Sequence, residues 1–338
     1  PANERDAFAL RAPVRGVSEF AFEVALSALL ESDREAILAR QLGTACHGNR
    51  VMDLVIADPG PDFDERAAIT PERIPEPAIE SAVGPGKARY WKDAFEIHPD
   101  RAESVVERAV DLGFFERERR NGRTYVRQTA RYPDDWFDSL VGIENKPDLG
   151  RPGDLETQLR KDVALALLDE VILATESHVT GAHLNRIPDE VGVWRFHPDT
   201  GEREVVREPT PLDPDETGID VLDRRTARTD VAVVAAAEKR RQRRRVAERA
   251  YGKGWRTYDF PDCAEVEARE RFERGGLPYC AWKGRIVDPA RECGPDCDGY
   301  DPADAPDVDS AAERATGQPW DPDPEGRQRR QSGLERWE

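Results

Sequence analysis

The sequence predicts an α/β protein built on a mixed central sheet flanked by helices. Three observations carry this. Short apolar, β-branched runs at 50–60, 140–146 and 171–176 read as strands, closed by Asp, Pro or Gly. Helical apolar spacing appears before the first of them, at 17–41, and between the last two, at 154–169. Hairpin turns stand at Asn121-Gly122 and at Asp199-Thr200-Gly201.

Taken in order, residues 17–41 predict one helix or two in tandem, with apolar residues at 22, 26, 29 and 30 in helical period. "RVMDLVIADPG" (50–60) is a strand stopped by Asp-Pro-Gly. Residues 59–138 form an insert with a pattern of its own. Within it, 98–133 reads as a helix ending at Gly113, then a basic hairpin turning at Asn121-Gly122. Helix, Leu-Gly-aromatic and hairpin resemble the recognition helix and wing of a winged-helix domain, with 71–82 and 87–96 as its other helices. The strand 140–146 follows, then a helix over 154–169 capped by Asp154, a strand at 171–176 and a hairpin over 190–208. A linker rich in Pro, Asp and Thr occupies 209–219, and 228–251 predicts a further helix. The expected organisation is a discontinuous core (1–58 and 139–208), the insert (59–138), a helical, basic and cysteine-bearing segment packing on the core (209–300), and a flexible acidic tail (301–338).

The 338 residues carry a formal net charge of -18, with 68 acidic against 50 basic side chains and only seven lysines. Such a surface suits high internal salt. At about 1 M salt the Debye length is about 3 Å, so a negative chain repels DNA weakly and a nucleic-acid substrate is not excluded. No run of 18 apolar residues exists to span a membrane, and no apolar signal segment opens the sequence. A cytoplasmic setting is expected, and in it five cysteines read as thiols or metal ligands rather than disulfides.

"LVGIENKPDL" (140–149) holds the most informative charges. Glu144 and Lys146 end an apolar strand two residues apart, a spacing that points both to one face. Alone the pair reads as a surface ion pair. Upstream, however, Asp53 interrupts the strand "VMDLVIA", and Glu23 lies in an apolar stretch of the first helix. Gln158 and Lys161 open the helix that follows. Carboxylates placed among apolar residues need a partner cation. Their oxygens suit Mg²⁺ or Mn²⁺, which lowers the pKa of bound water and neutralises a scissile phosphate. A nearby lysine stabilises developing charge.

Helix with Glu, strand with Asp, strand with Glu-x-Lys, then helix and strand resembles the core order of the PD-(D/E)xK nucleases, the restriction-endonuclease-like superfamily. The resemblance covers roughly 17–58 and 139–208. It implies Asp53 and Glu144 as metal ligands together with the Asn145 carbonyl, Lys146 as the catalytic lysine, Glu23 as the helical acid, and Gln158 as the glutamine of RecB-like members. Their usual tyrosine is replaced by Asp162, and Lys161 is left to contact substrate. The long insert between Asp53 and Glu144 departs from the pattern.

Cys46 before the core, with Cys280, Cys293 and Cys297 after it, resembles the iron–sulfur RecB-like nucleases and implies a 4Fe-4S cluster. Zinc is the rival metal. Cys263 is a fifth thiol able to replace Cys46 in a wholly C-terminal site, and His47 is a further candidate ligand. "ECGPDC" is the best local sign of a metal, because Gly and Pro shape a loop on which two thiolates converge.

Residues 239–256 carry nine positive charges and one negative. Arg240, Arg241 and Arg244 there, and Arg120 and Arg123 in the wing, are candidate phosphate contacts. The helix before the wing carries Glu103, Glu107 and Asp111, which argues against reading bases in a groove. The expected function is metal-dependent DNA hydrolysis in repair, recombination or defence. The alternative is a non-catalytic nucleic-acid-binding or regulatory protein on an inactive nuclease-like fold.

Overall fold

The computed structural model describes residues 18–43, 50–225 and 228–325. Helix α1 (Glu19–Asp33) opens at Ser18, whose hydroxyl accepts the Ala21 backbone N–H at 3.1 Å. It stops where Arg34 turns extended, and Ile37–Gly43 then forms strand β1. The helix expected over 17–41 is therefore corrected to a helix and a strand. The reason is burial on two sides: Ile37 and Ala39 enter one core layer and Leu38 the other. A short run that is apolar on both faces satisfies a strand between two layers.

Strand β2 (Val51–Pro59) leads into the insert: short helices α2 (Phe63–Ala67) and α3 (Glu76–Ile79), strand β3 (Arg89–Tyr90), helix α4 (Pro99–Asp111), and strands β4 (Phe115–Arg120) and β5 (Arg123–Gln128). The last three strands form their own sheet in the order β3-β5-β4, turning at Asn121-Gly122, both at positive φ. The chain returns as β6 (Phe137–Asn145). The insert closes its own ends. Pro59 pairs with Phe137, and the Gly60 N–H donates to the Trp136 carbonyl at 2.9 Å. An insert of this length therefore leaves β2 and β6 free to pair.

Beyond β6 come α5 (Leu155–Leu165), β7 (Glu170–Thr175), the short α6 (Gly181–Leu184), β8 (Gly192–His197) and β9 (Glu202–Arg207). The central sheet runs β1-β2-β6-β7-β8-β9. Its first three strands are antiparallel, β6, β7 and β8 are parallel, and β9 folds back antiparallel. The chain is thus mixed α/β, with helices on both faces of a mixed sheet. One layer buries Phe22, Leu26 and Leu30 of α1 against Leu38, Leu54, Ile56, Val141 and Ile143. The other buries Ile37, Val55, Leu140 and Val171 against Leu159 of α5 and, from the next helix, Val246 and Tyr251.

That helix, α7 (Ala236–Lys253), is preceded by a hairpin of β10 (Gly218–Arg225) and β11 (Arg228–Val234). The helix expected from 228 starts eight residues later. Alternating Val231 and Val233 pair with Val221 and Ile219 instead, as β-branched residues prefer. A three-stranded sheet follows, β12 (Val266–Arg271), β13 (Arg274–Cys280) and β14 (Arg285–Ile286), then α8 (Pro289–Glu292) and α9 (Ser310–Gly317).

The flexible tail expected from 301 is also corrected as far as 325. Gln318 is buried, accepts the Leu38 N–H at 3.2 Å and donates to Glu31 at 2.9 Å. Trp320 donates to the Pro71 carbonyl at 3.0 Å. A few well-placed side chains anchor a segment whose composition reads as mobile.

Candidate active site

The last Cα pair of β2 with β6 is Leu54↔Ile143, so the next step of the antiparallel register sets Asp53 opposite Glu144. The ladder ends there in an unusual way. The Asn145 backbone N–H donates to the Asp53 carboxylate (Oδ2, 2.8 Å), which replaces a strand carbonyl as acceptor. Asp53 is also reached by Gln41 Nε2 at 3.3 Å, and the same amide donates to Glu23 Oε2 at 2.8 Å. Gln41 reaches both because its backbone is left-handed (φ 52°), a kink in β1 opposite the acid. Three of the sequence-predicted acids, Glu23, Asp53 and Glu144, therefore meet at one end of the sheet.

Charge in this cluster is frustrated. Burial, then the Asp53 charge, pushes Glu144 up to about 9 against the pull of Arg50. Burial raises Glu23 to about 7, opposed by Arg40 and reinforced by Asp53. Asp53 itself is raised, mainly by burial. The cations nearest the acids are arginines, with Lys253 also acting on Glu23 while donating to the Gln41 carbonyl. Arg50 NH2 stands 2.7 Å from Glu144 Oε1 and 2.5 Å from Asp162 Oδ2, and its Nε donates to Asp162 Oδ1 at 3.1 Å. Arg40 lies 3.5 Å from Glu23.

Arg50, Gln41 and Arg40 escaped the sequence reading, and Asp162 entered it only as the residue in place of a tyrosine. Asp162 carried a signal, as the residue four beyond Gln158 on the same helix face. Arg50 carried none, because its role depends on α5, 112 positions away.

The remaining predicted residues are placed as follows. Lys146 Nζ pairs with Glu19 Oε1 at 3.0 Å, and the Glu19 charge acts in turn on Asp53, so the lysine sits at the rim of the cluster. Glu144 and Lys146 thus engage different partners. The Asn145 amide is buried, and neither Oδ1 nor Nδ2 has a hydrogen-bond partner among the described residues. Gln158 is half-buried on α5 without a side-chain hydrogen bond to the described residues. Lys161 lines an open cleft with Arg160, Val163 and Val221. Cys46 and His47 lie outside the described residues.

The basic run is not the free strip it resembled. Within α7, Lys239 and Arg243 are buried, donating to the Asp213 and Leu167 carbonyls, and Arg243 also pairs with Asp169. Arg244 pairs with Glu80, Arg245 with Glu76 and Arg241 with Glu238. Arg240 is exposed. These arginines hold the helix between insert and sheet, because an acidic protein offers them carboxylates at every side. In the β4–β5 hairpin, Arg120 pairs with Glu118 and Arg123 lies over Tyr90, both at the surface.

Oxygen donors alone, from Asp53, Glu144 and the Asn145 carbonyl, suit a hard divalent cation. Among the described residues, no three His, Cys, Asp or Glu side chains are already gathered around one point. Arg50 stands against Glu144 on the side a cation would take.

Comparison with protein-family models matches residues 37–302 to the Family of unknown function (DUF5787). The chain belongs to that family. Neither the curated proteins nor the solved structures contain a match.

Proposed function

We propose that this protein hydrolyses DNA phosphodiester bonds with a Mg²⁺ or Mn²⁺ ion held by Asp53 and Glu144. The observation that carries the reading is the pairing of these two acids across β2 and β6, with Lys146 at the rim. The element order supports it. Helix α1, antiparallel β1, β2 and β6, helix α5 and parallel β7 follow the order expected of a restriction-endonuclease-like core. When bound, the ion would activate water and neutralise charge on the phosphate.

The protein's own groups have distinct tasks in this reading. Asp53 is held in place by the Asn145 N–H and by Gln41, which ties it to Glu23. Glu144 exchanges Arg50 for the ion, and Asp162 retains the arginine. Lys146 orients the attacking water and offsets negative charge developing on the phosphate oxygens. Arg119, Arg120 and Arg123, exposed on the wing, supply backbone contacts.

One observation favours a second reading. The Arg50 guanidinium already stands against Glu144, as a protein that binds nucleic acid without cutting it would require. The deciding experiment is cleavage of single-stranded, duplex and branched DNA in high salt with Mg²⁺ or Mn²⁺. Asp53→Asn and Glu144→Gln should abolish cleavage, and Lys146→Ala should lower it about 10²-fold with DNA binding retained. Binding without cleavage on any substrate would establish the second reading.

A further inference from the structure

Residues 258–302 lie beyond the central sheet and form a small unit of β12, β13, β14 and α8. Four cysteines punctuate it. Cys263 precedes β12 and bridges to Pro302. Cys280 ends β13, opposite Val266 and Arg285. Cys293 follows α8, and Cys297 closes a turn in which its N–H donates to the Gly294 carbonyl at 3.0 Å. All four are free thiols.

One end of this unit is lined by cysteines. Cys263, Cys280, Val266 and Val287 are its buried core, with Cys293, Phe260 and Tyr300 packed around them. Two buried valines contribute about 1.5–3 kcal/mol each. Ordering each backbone residue costs about 1–2 kcal/mol. Leu277 and Ile286 anchor the sheet against α1, so it is only the cysteine-lined end that lacks apolar packing of its own, the kind of place a metal holds together in natural proteins.

Cys293 packs against the buried pair Cys263 and Cys280, and Cys297 lies four residues on in the same turn, although the thiols as they stand are not gathered around one point. Two cations stand beside them. Lys283 acts on Cys293, and Arg285 faces Cys280 and Cys293 while pairing with Glu292. Such groups offset the net negative charge of a tetrathiolate site.

We infer that Cys263, Cys280, Cys293 and Cys297 together bind one structural zinc ion. Four thiolates in a tetrahedron are a common structural zinc set, and Cys293-x₃-Cys297 has the spacing of one of its ligand pairs. Cys263 and Cys280 are already buried against Val266 and Val287, in a packed core suited to a single ion rather than a four-iron cube. Half-exposed Cys293 and Cys297 close onto that pair when the ion binds. Each thiol that ligates releases its proton. This set excludes Cys46, and it is independent of the hydrolytic reading.

The test uses the full chain purified in reducing buffer. Elemental analysis should find one zinc per chain. After chelation, one equivalent of Co²⁺ should restore a folded protein with thiolate charge-transfer and tetrahedral ligand-field absorption. Cys293→Ser and Cys297→Ser, at half-exposed positions, should lose tight cobalt binding while circular dichroism keeps the central α/β signal. Cys46→Ser should leave uptake and spectrum unchanged. Iron with acid-labile sulfide, two disulfides by mass spectrometry, no stoichiometric uptake, or loss in Cys46→Ser with retention in Cys263→Ser would each overturn the assignment.

Discussion

At the scale of single residues, the acid cluster makes a pH prediction. Glu144 is held near 9 and Glu23 near 7, whereas their ordinary value is 4.5. The folded protein therefore keeps protons that the unfolded chain releases. Stability from these groups is complete below about pH 4.5, declines as pH rises through 7 and 9, and is flat above. Denaturant midpoints without divalent cation should fall across that window. Glu144→Gln should flatten the upper part of the decline. A midpoint that rises between pH 5 and 9, or an unchanged slope in the variant, contradicts the burial of these acids. Adding Mg²⁺ near pH 8 should release protons from the wild type and none from Glu144→Gln, read with a pH indicator.

At the scale of elements, the insert hangs on its closure at Gly60. A Cβ there would stand against the Asp135 carbonyl oxygen and the Phe137 backbone, with no flexible side chain to yield. Gly60→Ala should destabilise by about 1–3 kcal/mol, the usual cost of overpacking. Because Pro59 pairs with Phe137 beside it, the same variant should weaken hydrogen-exchange protection most at the start of β6, and less at Asn145 at the far end of the ladder. The insert is also pinned to α7 through Arg66, which is buried and bidentate on Glu248 at 2.5 and 2.8 Å. Glu248 receives the Tyr132 hydroxyl and the Ile74 N–H as well. A buried pair satisfied this fully favours one fixed arrangement of insert and helix.

At the scale of the whole molecule, the segment after the family-matched region completes the core. Glu31 is buried on α1 and receives Trp255, Arg256 and Gln318 at 2.6–2.9 Å. Gln318 belongs to the stretch whose composition predicted a flexible tail. Ending the chain after residue 302 would leave that carboxylate and the Leu38 N–H short of a partner. Thermal unfolding should shift several degrees lower, as the loss of two or three buried hydrogen bonds implies. An unchanged midpoint would show that the tail only rests on the surface.

Much of the fold was legible because local periodicity encodes it. The apolar run around Asp53 marked β2, the run 140–146 marked β6, and Asn121-Gly122 marked the insert's hairpin. The sequence by itself determined which carboxylates stand on core strands, since an acid among β-branched residues is costly wherever the strand lies. Only the tertiary structure decided what answers that cost. Arg50 joins Glu144 and Asp162, α7 turns its arginines onto Glu76, Glu80 and Asp169, and Cys263 stands with the three later cysteines. Such pairings depend on which distant segments the sheet and helices bring together, and charge neutralisation acts through space rather than along the chain.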